Sequence, residues 1–219
     1  MGSTYAILKH KTANRVGKTD NATANTIRDN CIVDAVTQIC TDNRFSWTLA
    51  KDTLSVVAGA ANLPTDYNPS FGLVFAVHQV TGTANDREYT RVDIRDIDNY
   101  SSSDYVYYIT YDTSSGVYVF NSNQTTDTVV IYYHFLPTEL SSDSDVSIVP
   151  DDMAVVYLAV ALWWLAKERD ESNYDRFYKE YEKRLAKMVL QDAAYNTTRT
   201  QLKSKLGENT GESILATQR

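Results

Sequence analysis

The chain has 219 residues, 43% hydrophobic and 22% charged, with eight Gly and four Pro, a globular composition that excludes wholesale disorder and allows one elaborated domain or two small ones. The formal net charge of −7 is unevenly spread, because residues 31–165 hold five Lys/Arg against seventeen Asp/Glu while residues 1–30 and 193–219 are mildly basic. An acidic body repels phosphates, which argues against a sequence-specific reader of DNA or RNA.

Residues 1–20 show no clear period and read as an arm or extended segment. Met1 to Gly17 is polar and mixed, unlike a secretory signal, so synthesis in a cytoplasm is the expectation. From Thr23 to Asn43 the apolar positions Ile27, Cys31, Ile32, Ala35, Val36, Ile39 and Cys40 recur at threes and fours, which predicts one amphipathic helix. On that helix Cys31 and Cys40 lie about 180° apart and about 13 Å along the axis, so they do not bridge each other.

From Thr48 the period changes to two. The runs "TLSVV", "FGLVFAVHQV", "YTRVDIRDI", "YVYYITY", "VYVFN" and "TVVIYYHFL" are rich in β-branched and aromatic residues and predict short strands. Turn chemistry such as "TGTAND" and "DTSSG" separates them. The expected product is a small antiparallel sheet or sandwich over residues 48–149, with one wet face along "YTRVDIRDI".

Helix returns after "SDSDV". Pro150 suits a first helical position, and Asp151 and Asp152 suit the first turn, where the helix dipole favours negative charge. The run "MAVVYLAVALWWLA" that follows is too short to span a bilayer, which takes about 20 apolar residues. It reads as a buried helix to about Arg169. Its Trp163 and Trp164 lie about 100° apart around the axis, so they, with Trp47, belong to the core or to a surface covered by a neighbouring subunit. After "DESNYD", with Ser172 as its expected N-cap, a further helix places Phe177 and Tyr181 on an apolar face and the pairs Asp175 with Lys179 and Glu180 with Arg184 on others. Past Gln191 the period dissolves into a tail. The predicted fold is therefore α+β: an antiparallel helical bundle from residues 1–47 and 150–192, a small inserted antiparallel β-domain at 48–149, and an extended C-terminal tail at 193–219.

Catalytic vocabulary is poor. The sequence has no G-x-S-x-G, P-loop, H-E-x-x-H or dinucleotide glycine pattern, so neither an enzyme nor a cofactor is expected. Asp93, Asp96 and Asp98 split between two faces of a strand and read as solvated acids rather than a metal site. His78 and His134 each sit in an apolar strand and read as satisfied sheet histidines. The tyrosines of "YVYYITY" read as cross-strand packing, with a sugar platform as the competing idea.

The order of these patterns, with "IRDNCIVDAVTQICTDNRFSW", the "LPTDY" turn and "VPDDMAVVYLAVALWWLAKERDESNYDRFYKEYEKRLAKM", resembles the head-to-tail adaptor, or connector, proteins of tailed bacteriophages over about residues 20 to 192. The resemblance implies a structural virion protein, made in the host cytoplasm and assembled as a homo-oligomeric ring, usually of twelve copies. Such a ring lies between the portal protein and the tail proteins, where it offers the tail a docking surface. It also continues the channel that double-stranded DNA traverses without specific binding, and no membrane is involved. The family's use of a C-terminal extension to reach the portal assigns that role here to Arg199, Lys203 and Lys205. Two alternatives stand beside it: a tail-completion or tail-tube protein, and a carbohydrate-binding β-domain.

Overall fold

A computed structural model describes residues 2–17, 21–78, 87–101 and 103–216; from residue 195 onward it describes the backbone only. The "TGTAND" turn therefore lies outside the described residues. The chain divides into two compact units, Met1–Ile39 with Glu139–Arg219, and Cys40–Thr138.

The first unit contains α1 (Tyr5–Val16), nearly all of α2 (Ala22–Asp42), α3 (Asp152–Trp163) and α4 (Glu171–Ala216). Residues expected as an extended arm form α1, because Tyr5, Leu8 and Thr12 make a buried stripe at helical spacing. The first turn of α1 is satisfied from outside the helix: the Tyr5 and Ala6 N–H groups donate to the carbonyls of Asp145 and Asp143 at 2.8 and 3.2 Å. α2 falls where the apolar period places it and buries Cys31, Ile32, Ala35, Val36, Ile39 and Cys40. Burial pushes the Cys31 thiol up to about 11 and the Cys40 thiol up to about 12, with Asp34 adding to the former.

α3 is apolar all round, and α1 and α4 both pack on it. Eight of its twelve residues are buried, each large side chain contributing roughly 1.5–3 kcal/mol. Its start differs in detail from the expectation. Pro150 stays outside the helix, and Asp151 is the N-cap, its carboxylate accepting from the Met153 and Ala154 N–H groups at 2.9 and 3.3 Å. Asp151 also receives Arg184 of α4 at 3.3 Å, so Arg184 pairs across helices while Glu180 takes Lys183 at 2.5 Å. Asp152 accepts hydrogen bonds from Ser3 and Lys11. Its burial alone would raise its pKa, but those two donors hold the carboxyl below the usual range. At its far end α3 loosens into a π-turn at Trp164–Glu168, and Arg169, at φ 53°, turns the corner. Asp170 rather than Ser172 then caps α4, accepting from the Asn173 N–H at 3.0 Å.

The second unit overturns the predicted fold class. It is one eight-stranded sheet in the order β4-β3-β8-β1-β2-β7-β6-β5, wrapped into a nearly closed barrel. The chain is thus not a helical bundle carrying a small inserted β-domain. The strands are β1 (Leu49–Val57), β2 (Ala60–Asn62), β3 (Leu73–His78), β4 (Arg87–Glu88), β5 (Thr90–Arg91), β6 (Val106–Asp112), β7 (Val117–Ser122) and β8 (Thr126–His134). The backbone of α4 likewise replaces the extended tail, running helical to Ala216. No proline falls within it to break the ladder, and a glycine costs a helix only about 1 kcal/mol.

Closure comes from the seam. β4 pairs with β3 at one edge of the sheet and β5 pairs with β6 at the other, and Tyr89 alone lies between β4 and β5. The stretch predicted as the strand "YTRVDIRDI" is strand only at Thr90–Arg91, then a 3-10 turn at Ile94–Asn99. The Asp93 carboxylate accepts from the Arg95 N–H at 2.9 Å, and such local side-chain bonding competes with a ladder. Elsewhere β1 pairs with β8 along its whole length, from Leu49↔His134 to Val57↔Thr126. The core follows the alternation, with Leu54, Val56, Val129, Ile131 and Tyr133 inward.

The β1–β2 hairpin turns through Ala58 at φ 52° and Gly59 at φ 82°, a left-handed pair that suits Asn-Gly better than Ala-Gly. Ala58→Asn is expected to raise stability by about 0.5–1 kcal/mol, measured by urea unfolding; a loss would show that the turn is not of this type. Lys11→Met should cost about 1 kcal/mol at pH 7. Because Asp152 is depressed in the folded state, its contribution is complete above the ordinary carboxylate range and is lost as pH falls through the folded value. The gap between variant and wild type should therefore close in acid, as read from unfolding midpoints at several pH values.

Candidate functional site

Trp163, Trp164, Phe177 and Tyr181 lie in the first unit. Trp163 is 3% exposed and Trp164 half-buried, their rings meeting edge to face at 5.1 Å and 84°. Neither indole N–H has an acceptor among the described residues. Such an orphan donor costs about 1–3 kcal/mol, and both lie at the junction of α3 with the π-turn. Phe177 of α4 is half-buried and faces Tyr157 at 6.4 Å; Tyr181 is buried and meets Tyr178 at 5.4 Å. Trp47 belongs to the second unit, stacked on Phe45 at 4.7 Å and 16°. The side chains of Arg199, Lys203 and Lys205 lie outside the described residues.

The motif that carries the resemblance has a visible job. In "LPTDY", Leu63 and Tyr67 are buried and the Tyr67 N–H donates to the Pro64 carbonyl at 3.0 Å. Asp66 accepts from the Tyr133 hydroxyl at 2.9 Å, and its carbonyl takes the Leu136 N–H at 2.6 Å. The turn thus ties one end of the barrel to β8 and to the segment that follows it. Beside it Pro64, Pro69, Tyr111 and Tyr118 border a cleft of about 310 Å³.

A polar cluster that single-sequence reading missed sits inside the barrel behind the seam. Asp127 of β8, whose side chain is 5% exposed, accepts from His78 Nδ1–H at 2.5 Å, from the Tyr89 hydroxyl and from the Thr128 N–H at 2.7 Å. The Tyr105 ring lies 5.0 Å from His78 and 5.2 Å from Tyr89. Burial pushes the Tyr89 hydroxyl well above the usual tyrosine range, and its bond to Asp127 adds to the shift. A tyrosine so held is a hydrogen-bond donor and not a base, so the cluster fastens the seam. One signal in the sequence pointed to it: Asp127 shares parity with Val129, Ile131 and Tyr133, all inward. His134 is satisfied separately, its Nδ1 2.7 Å from the Thr48 hydroxyl.

Among the described residues no three His, Cys, Asp or Glu side chains are placed to hold a metal, and no helix is long and apolar enough to cross a membrane. Asp93 is occupied by Arg95 at 3.0 Å, and Asp143 by Lys9 at 2.8 Å.

A model of the SU10 adaptor protein family matches residues 3–202, nearly the whole chain. The chain belongs to that family. It is therefore a structural adaptor protein of a bacteriophage, a component of the virion whose contacts are with other head and tail proteins. The SU10 adaptor family is a structural one, of a kind that is generally non-enzymatic. No significant match was found among curated proteins.

In this adaptor the seam cluster is the piece most open to a direct check. Tyr89→Phe removes one donor from a buried carboxylate and should cost about 1–3 kcal/mol, measured by urea unfolding. A cost under about 0.5 kcal/mol would show that the hydroxyl does not hold the seam.

Proposed function

We propose that this adaptor assembles as a ring, of twelve copies by the family's habit, between the portal and the tail. There it prolongs the DNA channel and presents the surface on which the tail docks. Membership of the adaptor family carries the reading. The segment 193–219 serves as the portal-docking element, with Arg199, Lys203 and Lys205 supplying charge. The helical segments 1–47 and 150–192 and the strand segment 48–149 act as the two working parts of each subunit. Trp163 and Trp164, with their orphan indole N–H groups, and Trp47, Phe177 and Tyr181 form core or subunit boundary.

The acid excess of residues 31–165 suits a conduit. Like charge lets a duplex slide, whereas a basic lumen would release counterions and hold it. A ring contact is heterologous, one surface of a subunit meeting a different surface of the next. A tail-completion protein would share the ring but bind on the tail side alone.

Mixing the purified protein with portal rings and imaging the product should give a stoichiometric second ring. Failure to associate at any ratio would move the protein to the tail side. Deletion of residues 196–219 is expected to leave the unfolding midpoint within about 2 °C, corresponding to under about 1 kcal/mol, while abolishing docking. Unfolding on deletion would contradict the separate role of that segment.

A further inference from the structure

The seam closes the barrel over only part of its height. β5 pairs with β6 at Thr90↔Val106 and Arg91↔Tyr107. The last bond runs from the Val92 N–H to the Tyr107 carbonyl at 2.9 Å, and the chain then leaves for the 3-10 turn at Ile94–Asn99. β6 continues to Asp112. The direction of its main-chain groups alternates: the carbonyls of Tyr105 and Tyr107 accept from the seam segment, whereas that of Val106 accepts from Asn123 on the β7 side. The N–H and C=O groups of Ile109 and Tyr111 therefore turn to the seam side, where no strand faces them among the described residues.

Space is available there. A cleft of about 420 Å³ lies between the Arg91–Ile94 turn and the Tyr108–Thr110 stretch of β6. Natural proteins pair, cover or blunt their strand edges, and one left open beside a cleft is a template for another chain. The cleft's walls specify the chemistry of that chain. Arg91 is exposed and forms no ion pair among the described residues, whereas its neighbour Arg95 is held by Asp93. Ile94, 54% exposed, offers apolar surface beside it.

We propose that the open edge of β6 at Ile109–Tyr111 receives an extended segment of a neighbouring protein, about four or five residues long, which adds as a strand and brings a carboxylate to Arg91. Main-chain bonds to Ile109 and Tyr111 supply affinity, and the charge at Arg91 with the apolar face of Ile94 supplies selectivity. Strand geometry carries this inference, independent of the ring and of the portal.

The test uses the full-length protein and a labelled peptide of about eight residues alternating valine with glutamate and threonine, beside a version with lysine for glutamate. Binding of the glutamate peptide should slow amide exchange at Ile109 and Tyr111 while leaving Thr110, whose amide faces β7, unchanged. Arg91→Glu should weaken that peptide by about tenfold or more and reverse the preference between the two. The proposal is overturned by absence of binding, by unchanged exchange at Ile109 and Tyr111 under saturating peptide, or by equal affinity of the Arg91→Glu protein. Protection at these amides that rises with protein concentration alone would make a second copy the occupant, and would overturn the choice of a different protein.

Discussion

The second unit depends on one constraint: a single residue, Tyr89, separates the strand that edges the sheet on one side from the strand that edges it on the other. One short stretch, Arg87–Arg91, must therefore bond to β3 and to β6 within five residues, and the sheet has to curl until both are in reach. The Tyr89 N–H reaches the Ala76 carbonyl at 2.8 Å, and the next N–H, of Thr90, reaches Tyr105 at 2.8 Å. That curling brings His78, Tyr89 and Asp127 from three parts of the chain to one point inside. A buried carboxylate is costly unless its lone pairs are filled, and here three donors fill them. The barrel thus gains a fixed seam at the price of one polar site in its interior.

In the first unit two adjacent acids divide a similar task. Asp151 ends the preceding loop, caps α3 and takes Arg184 from α4; Asp152 begins the helix and takes Ser3 and Lys11 from the N-terminal segment. Both carboxylates sit where the helix dipole favours negative charge. Neighbours in sequence on a helix start point in different directions, so one dipeptide fastens two separate elements to α3.

Much of this was legible in the sequence and some was not, for identifiable reasons. α2 followed from apolar spacing and β1, β3, β6, β7 and β8 from alternation, because both are local consequences of burying one face; α3 followed from the length of its apolar run, while the short β2 and β4 left no pattern to read. The inward parity of β8 was likewise readable. Closure was not, since nothing in a period of two distinguishes an open sheet from a wrapped one; it is set by the shortness of the Glu88–Thr90 connection. Asp93 overrode the strand propensity around it through its own bond to Arg95, and α1 was hidden because its buried stripe has only three residues, one of them the polar Thr12. Of the candidate residues, the contact of Trp163 with Trp164 was not legible, since neighbours on a helix point about 100° apart. The partners of Arg184, Lys11 and Asp127 are long-range, and no local pattern encodes them.

The two cysteines carry a consequence beyond packing. Cys31 lies in the first unit and Cys40 in the second, although both belong to α2. Each is a thiol kept in its unreactive, protonated form by burial, so reagents reach it only when its surroundings open. The native chain thus comes with two clocks on a single helix, each timing the opening of its own surroundings without any label being introduced.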